Sequence, residues 1–146
     1  MDIPQDLINT VAREEMNVGD VYEVRLGQAN GITPQGDYET RRKFFIVLGF
    51  DDEGNVYGGV VVNSRLNSRL PLQVRDYHLP IACSKYTFLR YDSFVNCSVL
   101  MVATPQTLLQ GCKIGVIQQE DIELIIGAIR ESPNETKARL RQFGLL

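Results

Sequence analysis

The sequence has no tryptophan, a single histidine (His78) and only three cysteines, Cys83, Cys97 and Cys112, and each scarcity removes a class of function. An odd number of cysteines with no C-x-x-C pair offers neither a disulfide framework nor a thiol redox motif, so the three are expected to be reduced and mostly buried. One imidazole without paired thiolates leaves a zinc site short of ligands, and no metal or cofactor is expected. The sequence also holds no G-x-S-x-G elbow, no P-loop and no G-x-G-x-x-G. A serine hydrolase built on His78 and a nucleotide-binding fold are set aside on that ground. The N-terminal residues Met1-Asp2-Ile3-Pro4-Gln5-Asp6 lack the basic start and apolar core of a signal peptide. No apolar run approaches the ~20 residues that span a bilayer, so a cytoplasmic protein with no membrane partner is expected.

What remains is a chain of 146 residues, 44% hydrophobic and 23% charged, the composition of an ordinary globular domain. A single domain over residues 1–146 is expected: an N-terminal helical extension (1–17), a strand-rich unit ending in a helix (18–131) and a C-terminal helix (132–146). The net charge of −3 conceals an asymmetry. Residues 1–40 carry two basic and eight acidic side chains, whereas residues 41–90 carry eight basic and four acidic. A basic middle third on an acidic protein is compatible with a local polyanion site, and equally with an ordinary solvated surface.

Helical spacing of Leu7, Ile8 and Val11 behind Pro4 predicts a short helix over Pro4 to Met16. Val21 to Leu26 alternates apolar and charged residues, the pattern of a strand with one buried face. Gly27 to Arg41, with three glycines and no periodicity, reads as a long loop and a first site candidate. Lys43 to Phe50 and Val56 to Val62 are continuously apolar around Asp51-Asp52-Glu53-Gly54-Asn55, predicting a hairpin of central strands buried on both sides. Pro71 restricts Leu70 to Val74 to a strand start or edge. Asp76 to Tyr91 reads only as a loop with a short extended piece. Ser93 to Ala103 has strand composition, broken by Thr104-Pro105. Ile122, Ile125, Ile126 and Ile129 share one face of a helix over Gln119 to Glu131. Ser132-Pro133-Asn134-Glu135 has the form of a capping box, predicting a second helix from Pro133 that Gly144 closes. The fold class is thus mainly β with terminal helices (α+β).

Gly19-Asp20-Val21-Tyr22, the glycine-containing loop, and Arg42 ahead of Phe44 to Leu48 resemble the opening of the MazF/PemK toxins of toxin-antitoxin systems. The turn Ser64-Arg65 before Leu70 to Val74, then Ser93-Phe94-Val95-Asn96-Cys97 and Lys113-Ile114-Gly115, continue the resemblance in order from about Asn17 to Arg130. It implies a small SH3-like barrel of the MazF/PemK/CcdB type and a homodimer that joins through its strand-rich face. It further implies metal-independent cleavage of single-stranded RNA, inhibited when a cognate antitoxin lies across the dimer groove. The family's catalytic arginine falls on Arg42, or on Arg41 or Lys43 if the loop alignment slips, and its catalytic threonine or serine falls on Ser64. The chain departs from the family after Arg42, where Lys43-Phe44 follows in place of the usual Arg-Pro pairing, and in the segment 76–91.

The residue chemistry is consistent with this. RNA cleavage through the 2′-hydroxyl needs a base, an acid and a cation for the charge that gathers on the phosphoryl oxygens. Arg42 suits the cation role because its planar donors match two phosphate oxygens, and Ser64 can donate to the same phosphate. His78 is the one imidazole for proton transfer, and Arg41, Lys43, Arg65 and Arg69 are candidate RNA-binding cations. Each has a plainer reading: a basic cluster guarding an apolar strand, a polar turn, a surface-loop histidine. The aromatics Tyr22, Phe44 and Phe45 can stack on bases but belong more often to a core. A non-catalytic SH3-like module that binds protein or nucleic acid is the rival, and a gyrase-directed toxin shares the same implied architecture.

Overall fold

The computed structural model describes residues 15–33 and 36–146, together with Pro4 and Leu7. The helix expected over Pro4 to Met16 therefore lies almost wholly outside the described residues. Seven strands form one antiparallel sheet: β1 (Asp20–Gly27), β2 (Thr40–Phe50), β3 (Tyr57–Asn63), β4 (His78–Ile81), β5 (Ser93–Asn96), β6 (Met101–Ala103) and β7 (Cys112–Val116). Their order is β4-β5-β3-β2-β1-β7, with β6 on β3 beside this path, and the sheet is open. Four α-helices and one 3-10 turn (Gln28–Asn30) accompany it among the described residues, the α-helices being α1 (Leu72–Arg75), α2 (Pro105–Leu109), α3 (Gln119–Glu131) and α4 (Lys137–Gln142). None is long and apolar enough to cross a membrane.

The continuous apolar runs of β2 and β3 have a simple cause. Side chains alternate between the two faces of a strand, and here both faces are covered. Ile46 and Leu48 of β2 join Val60 and Val62 of β3 in a core with Ile122, Ile125 and Ile129 of α3 and with Leu140, Phe143 and Leu145. Phe45 and Val47 join Val61 in a second core with Tyr22, Val24, Leu26 and Leu108. The single buried face expected for β1 is the one carrying Tyr22, Val24 and Leu26. Tyr22 and Phe45 are thereby core residues, whereas Phe44 stays half-buried.

Several expectations are corrected. Leu70 to Val74 is not a strand: Pro71 precedes a helical turn in which its carbonyl accepts from Val74 N (3.0 Å) and Arg75 N (2.9 Å). A proline is equally suited to the start of a helix as to a strand edge, and no cross-strand partner competes here. Ser93 to Ala103 is two strands, because Asn96 Oδ1 accepts from the Ser98 amide (3.0 Å) and hydroxyl (2.6 Å) and bends the chain between them. The Thr104-Pro105 break is itself a helix start, with Thr104 Oγ1 accepting from Thr107 N at 3.2 Å. Of the three thiols, which are free, only Cys97 is buried, and burial pushes it up to about 12; Cys83 is half-buried and Cys112 lies exposed on the edge strand β7.

The C-terminal helix begins at Lys137 behind Thr136, not at Pro133. Ser132 Oγ donates to the Ser98 carbonyl, and the Glu135 carboxylate, 1% exposed, accepts from Leu100 N at 2.8 Å while pairing with Arg139 at 3.4 Å. Arg139 in turn donates to the Leu100 carbonyl at 3.1 Å. A tertiary demand, the Leu100 amide stranded between β5 and β6, has thus taken the glutamate that a capping box would use. Gly144 does close the helix, at φ +75°.

Candidate functional site

At the end of the sheet where β2 begins and β3 finishes, a cleft of about 1160 Å³ opens. Arg41, Arg42, Lys43, Ser64, Arg65 and His78 all line it, whereas Arg69 does not. Arg69 sits in an exposed turn closed by Asn67, whose Oδ1 accepts from Arg69 N at 2.9 Å. Of the described residues of the loop Gly27 to Arg41, Arg41 lines the cleft and the others do not. The loop's opening turn is held on β6 instead, where Asn30 Nδ2 donates to the Val102 carbonyl at 3.0 Å.

Strand register explains the convergence. Phe44 pairs with Val62, and continuing that ladder two residues beyond this pair, one past the end of β3, runs Arg42 toward Ser64. On its other side Arg42 pairs with Arg25, a like-charge juxtaposition that costs stability. Glu23, diagonal to it, takes the Arg42 guanidinium at 3.1 Å. Lys43 donates to Asn63 Oδ1 at 2.8 Å. His78 opens β4 and is 8% exposed, not a surface-loop residue. Its Nδ1 lies 2.9 Å from the Val74 carbonyl of α1. A carbonyl only accepts, so Nδ1 carries the proton and Nε2 is the ring nitrogen left for proton transfer.

The opposite wall comes from residues 87–91, within the segment that the sequence left unassigned. Phe88 packs edge-on to Phe44 (6.1 Å between centroids) and over Gly115, where an added Cβ would meet its ring at 2.4 Å. The segment is anchored one step earlier. Tyr86 donates to Asp121 of α3 and accepts from Gln118 N at 3.1 Å, and Lys85 pairs with Glu120 (2.6 Å) and Asp121 (2.9 Å). Burial alone would raise the Asp121 carboxyl, but the Tyr86 hydroxyl and Lys85 outweigh it and hold it below the ordinary carboxylate value. From this anchored turn, Arg90 and Tyr91, the latter 66% exposed, enter the cleft lining. An Arg-Tyr pair beside Phe88 was the available sequence signal, masked by the absence of periodicity around it.

Among the described residues the cleft wall therefore holds five cations (Arg41, Arg42, Lys43, Arg65, Arg90) and a single carboxylate, Glu23. On a protein of net charge −3 this is a concentrated positive field, edged by Phe88 and Tyr91, and it suits an anion with flat aromatic groups. Burial, and then the Arg41 charge, lower the Lys43 pKa from its ordinary 10.5. Below the lowered value the charged ammonium opposes folding, and that cost disappears as pH rises toward 10.5. A bound polyanion reverses the balance, so binding takes up a proton within that window. Affinity for a phosphate polymer is expected to decline with rising pH in the wild type but to stay level in Lys43→Arg, whose guanidinium does not titrate. Fluorescence anisotropy across pH 7 to 10 measures this, and parallel curves would remove the role given to Lys43.

Among the described residues no three His, Cys, Asp or Glu side chains gather in a way that would hold a metal ion. Scanned against protein-family models the chain finds no match, and a search of curated proteins likewise finds none.

Proposed function

We propose that the cleft binds single-stranded RNA and cuts its backbone through the RNA's own 2′-hydroxyl, in the manner of the MazF/PemK toxins that the sequence resembles. The observation that carries the reading is the meeting of Arg42, Ser64 and His78 in one cationic, aromatic-edged cleft. Arg42 binds two oxygens of the scissile phosphate and stabilises the charge that grows there. Ser64 donates a hydrogen bond to the same group, and His78 moves a proton through Nε2. Arg41, Lys43, Arg65 and Arg90 hold flanking phosphates, and Tyr91 offers a face on which an unpaired base can stack. The same reading includes a small SH3-like barrel architecture, a homodimer and a cognate antitoxin, each drawn from the resemblance.

Incubation of the purified protein with mixed-sequence RNA in EDTA tests it. Fragments ending in 2′,3′-cyclic phosphate and beginning with 5′-hydroxyl are expected; intact RNA would remove the enzymatic reading. A binding-only module is favoured by one observation, the burial of His78 at 8% exposure. RNA that binds in the cleft and stays uncut would decide for it.

A further inference from the structure

The carboxylate of Glu23 is out of place in a cleft built to attract anions. Of the described side chains that line the wall it is the single acidic one, and each negative charge there weakens the hold on a polyanion. Its ion pair with Arg42 gives little stability in return, because the Arg42 side chain is 66% exposed and such pairs contribute at most about 1 kcal/mol. A charge that costs binding and barely supports the fold is explained if it acts in the reaction. We propose that Glu23 is the general base that takes the proton from the 2′-hydroxyl, an inference that rests on the RNA-cleaving reading above.

The geometry is suited to it. Glu23 lies on β1, a central strand with β2 on one side and β7 on the other, so its backbone is fixed. Its Oε1 is 3.1 Å from the guanidinium that would hold the scissile phosphate, which brings a carboxylate beside the sugar attached to that phosphate. Arrival of the phosphate displaces Glu23 from Arg42 and frees its oxygens to accept the hydroxyl proton. The 2′-oxygen then forms its bond to phosphorus as the bond from phosphorus to the 5′-oxygen breaks. The leaving 5′-oxygen takes a proton from Nε2 of protonated His78. Glu23 later gives its proton to water and His78 regains one, so the products are a 2′,3′-cyclic phosphate and a 5′-hydroxyl, with no co-reactant. The chemistry calls for two proton-transfer groups, and this assignment supplies the one that a lone histidine leaves missing.

Glu23→Gln separates the possibilities, because it removes the base and the charge without changing the shape. Expected are a kcat lower by about 100-fold, an RNA affinity equal to or tighter than wild type, and loss of the acid-side limb of the pH–rate profile. Glu23→Asp, which keeps a withdrawn carboxylate, should retain that limb at an intermediate rate. Thermal melts of both variants establish that they fold. If the wild type cuts RNA and Glu23→Gln cuts it within threefold as fast, or cuts slowly with the acid limb intact, Glu23 is not the base while the RNA-cleaving reading stands. If the wild type leaves RNA intact, both fall.

Discussion

On the proposed RNA-cleaving function, replacing Arg42 with alanine is expected to slow cleavage by about 10²–10³-fold while leaving the fold nearly unchanged. The two effects separate because the guanidinium does different work in the two contexts. In the folded protein it makes one exposed ion pair, with Glu23, and faces Arg25 across the β1–β2 ladder, so its removal relieves a repulsion as it breaks an attraction. The net change in stability should stay within about 1 kcal/mol. Against a phosphate whose charge grows during the proposed reaction, the same group, donating to two oxygens at once, is worth more. Arg42→Lys should recover little of the rate, because an ammonium cannot present two parallel donors to two oxygens. Kinetics and melting curves on the three proteins measure both quantities. Equal cleavage by wild type and Arg42→Ala would remove Arg42 from the chemistry, and a melting point lowered by more than about 5 °C would assign it a structural role.

A second large effect is expected at Gly49. Gly49 and Gly58 face one another across the β2–β3 ladder and form a flat window over which the C-terminal chain crosses. A Cβ on Gly49 would lie 2.1 Å from the Phe143 carbonyl oxygen, and one on Gly58 would lie 2.7 Å from the Phe143 ring. Phe143 is 3% exposed, so evicting it forfeits the burial of a large aromatic, about 3–5 kcal/mol. Gly49→Ala is therefore expected to melt roughly 6–20 °C below the wild type, at about 2–4 °C per kcal/mol for a chain of this size. Gly127→Ala on α3 is the control, since an added Cβ there meets nothing within 4 Å. A helix interior gains about 0.5–1 kcal/mol from that exchange, so the same methyl group should raise the melting point. Identical melting of the two variants would show that the crossing at Gly49 carries no weight.

These two sites illustrate how unevenly the structure was readable. The strand at Val21 to Leu26, the hairpin of β2 and β3 and the helix Gln119–Glu131 were legible because alternation, two-sided apolar runs and a 3.6-residue stripe are local patterns. Where a local signal could be outbid, the reading failed. Ser132 and Glu135 had the spacing of a capping box, but the stranded amide of Leu100 and the guanidinium of Arg139 drew the carboxylate away. Ser93 to Ala103 had the composition of one strand, and a side-chain turn at Asn96 divided it. Segment 76–91 carried no period at all, since its shape comes from Tyr86 and Lys85 gripping a helix some 35 residues away.

From the chain's own order came the inventory: a basic middle third, an arginine ahead of an apolar strand, a serine after the next strand, one imidazole and no metal-binding cluster of cysteines. Periodicity assigned those residues to strands and turns, because backbone alternation is decided within a few bonds. Which of them meet was settled by long-range pairing. The ladder of β2 on β3 carries Arg42 toward Ser64, the packing of α1 on β4 turns His78 inward, and the neighbouring strand β1 brings Glu23 against Arg42. No pattern in a linear sequence encodes those meetings, since each depends on a register selected by two buried cores acting on both faces of the sheet at once.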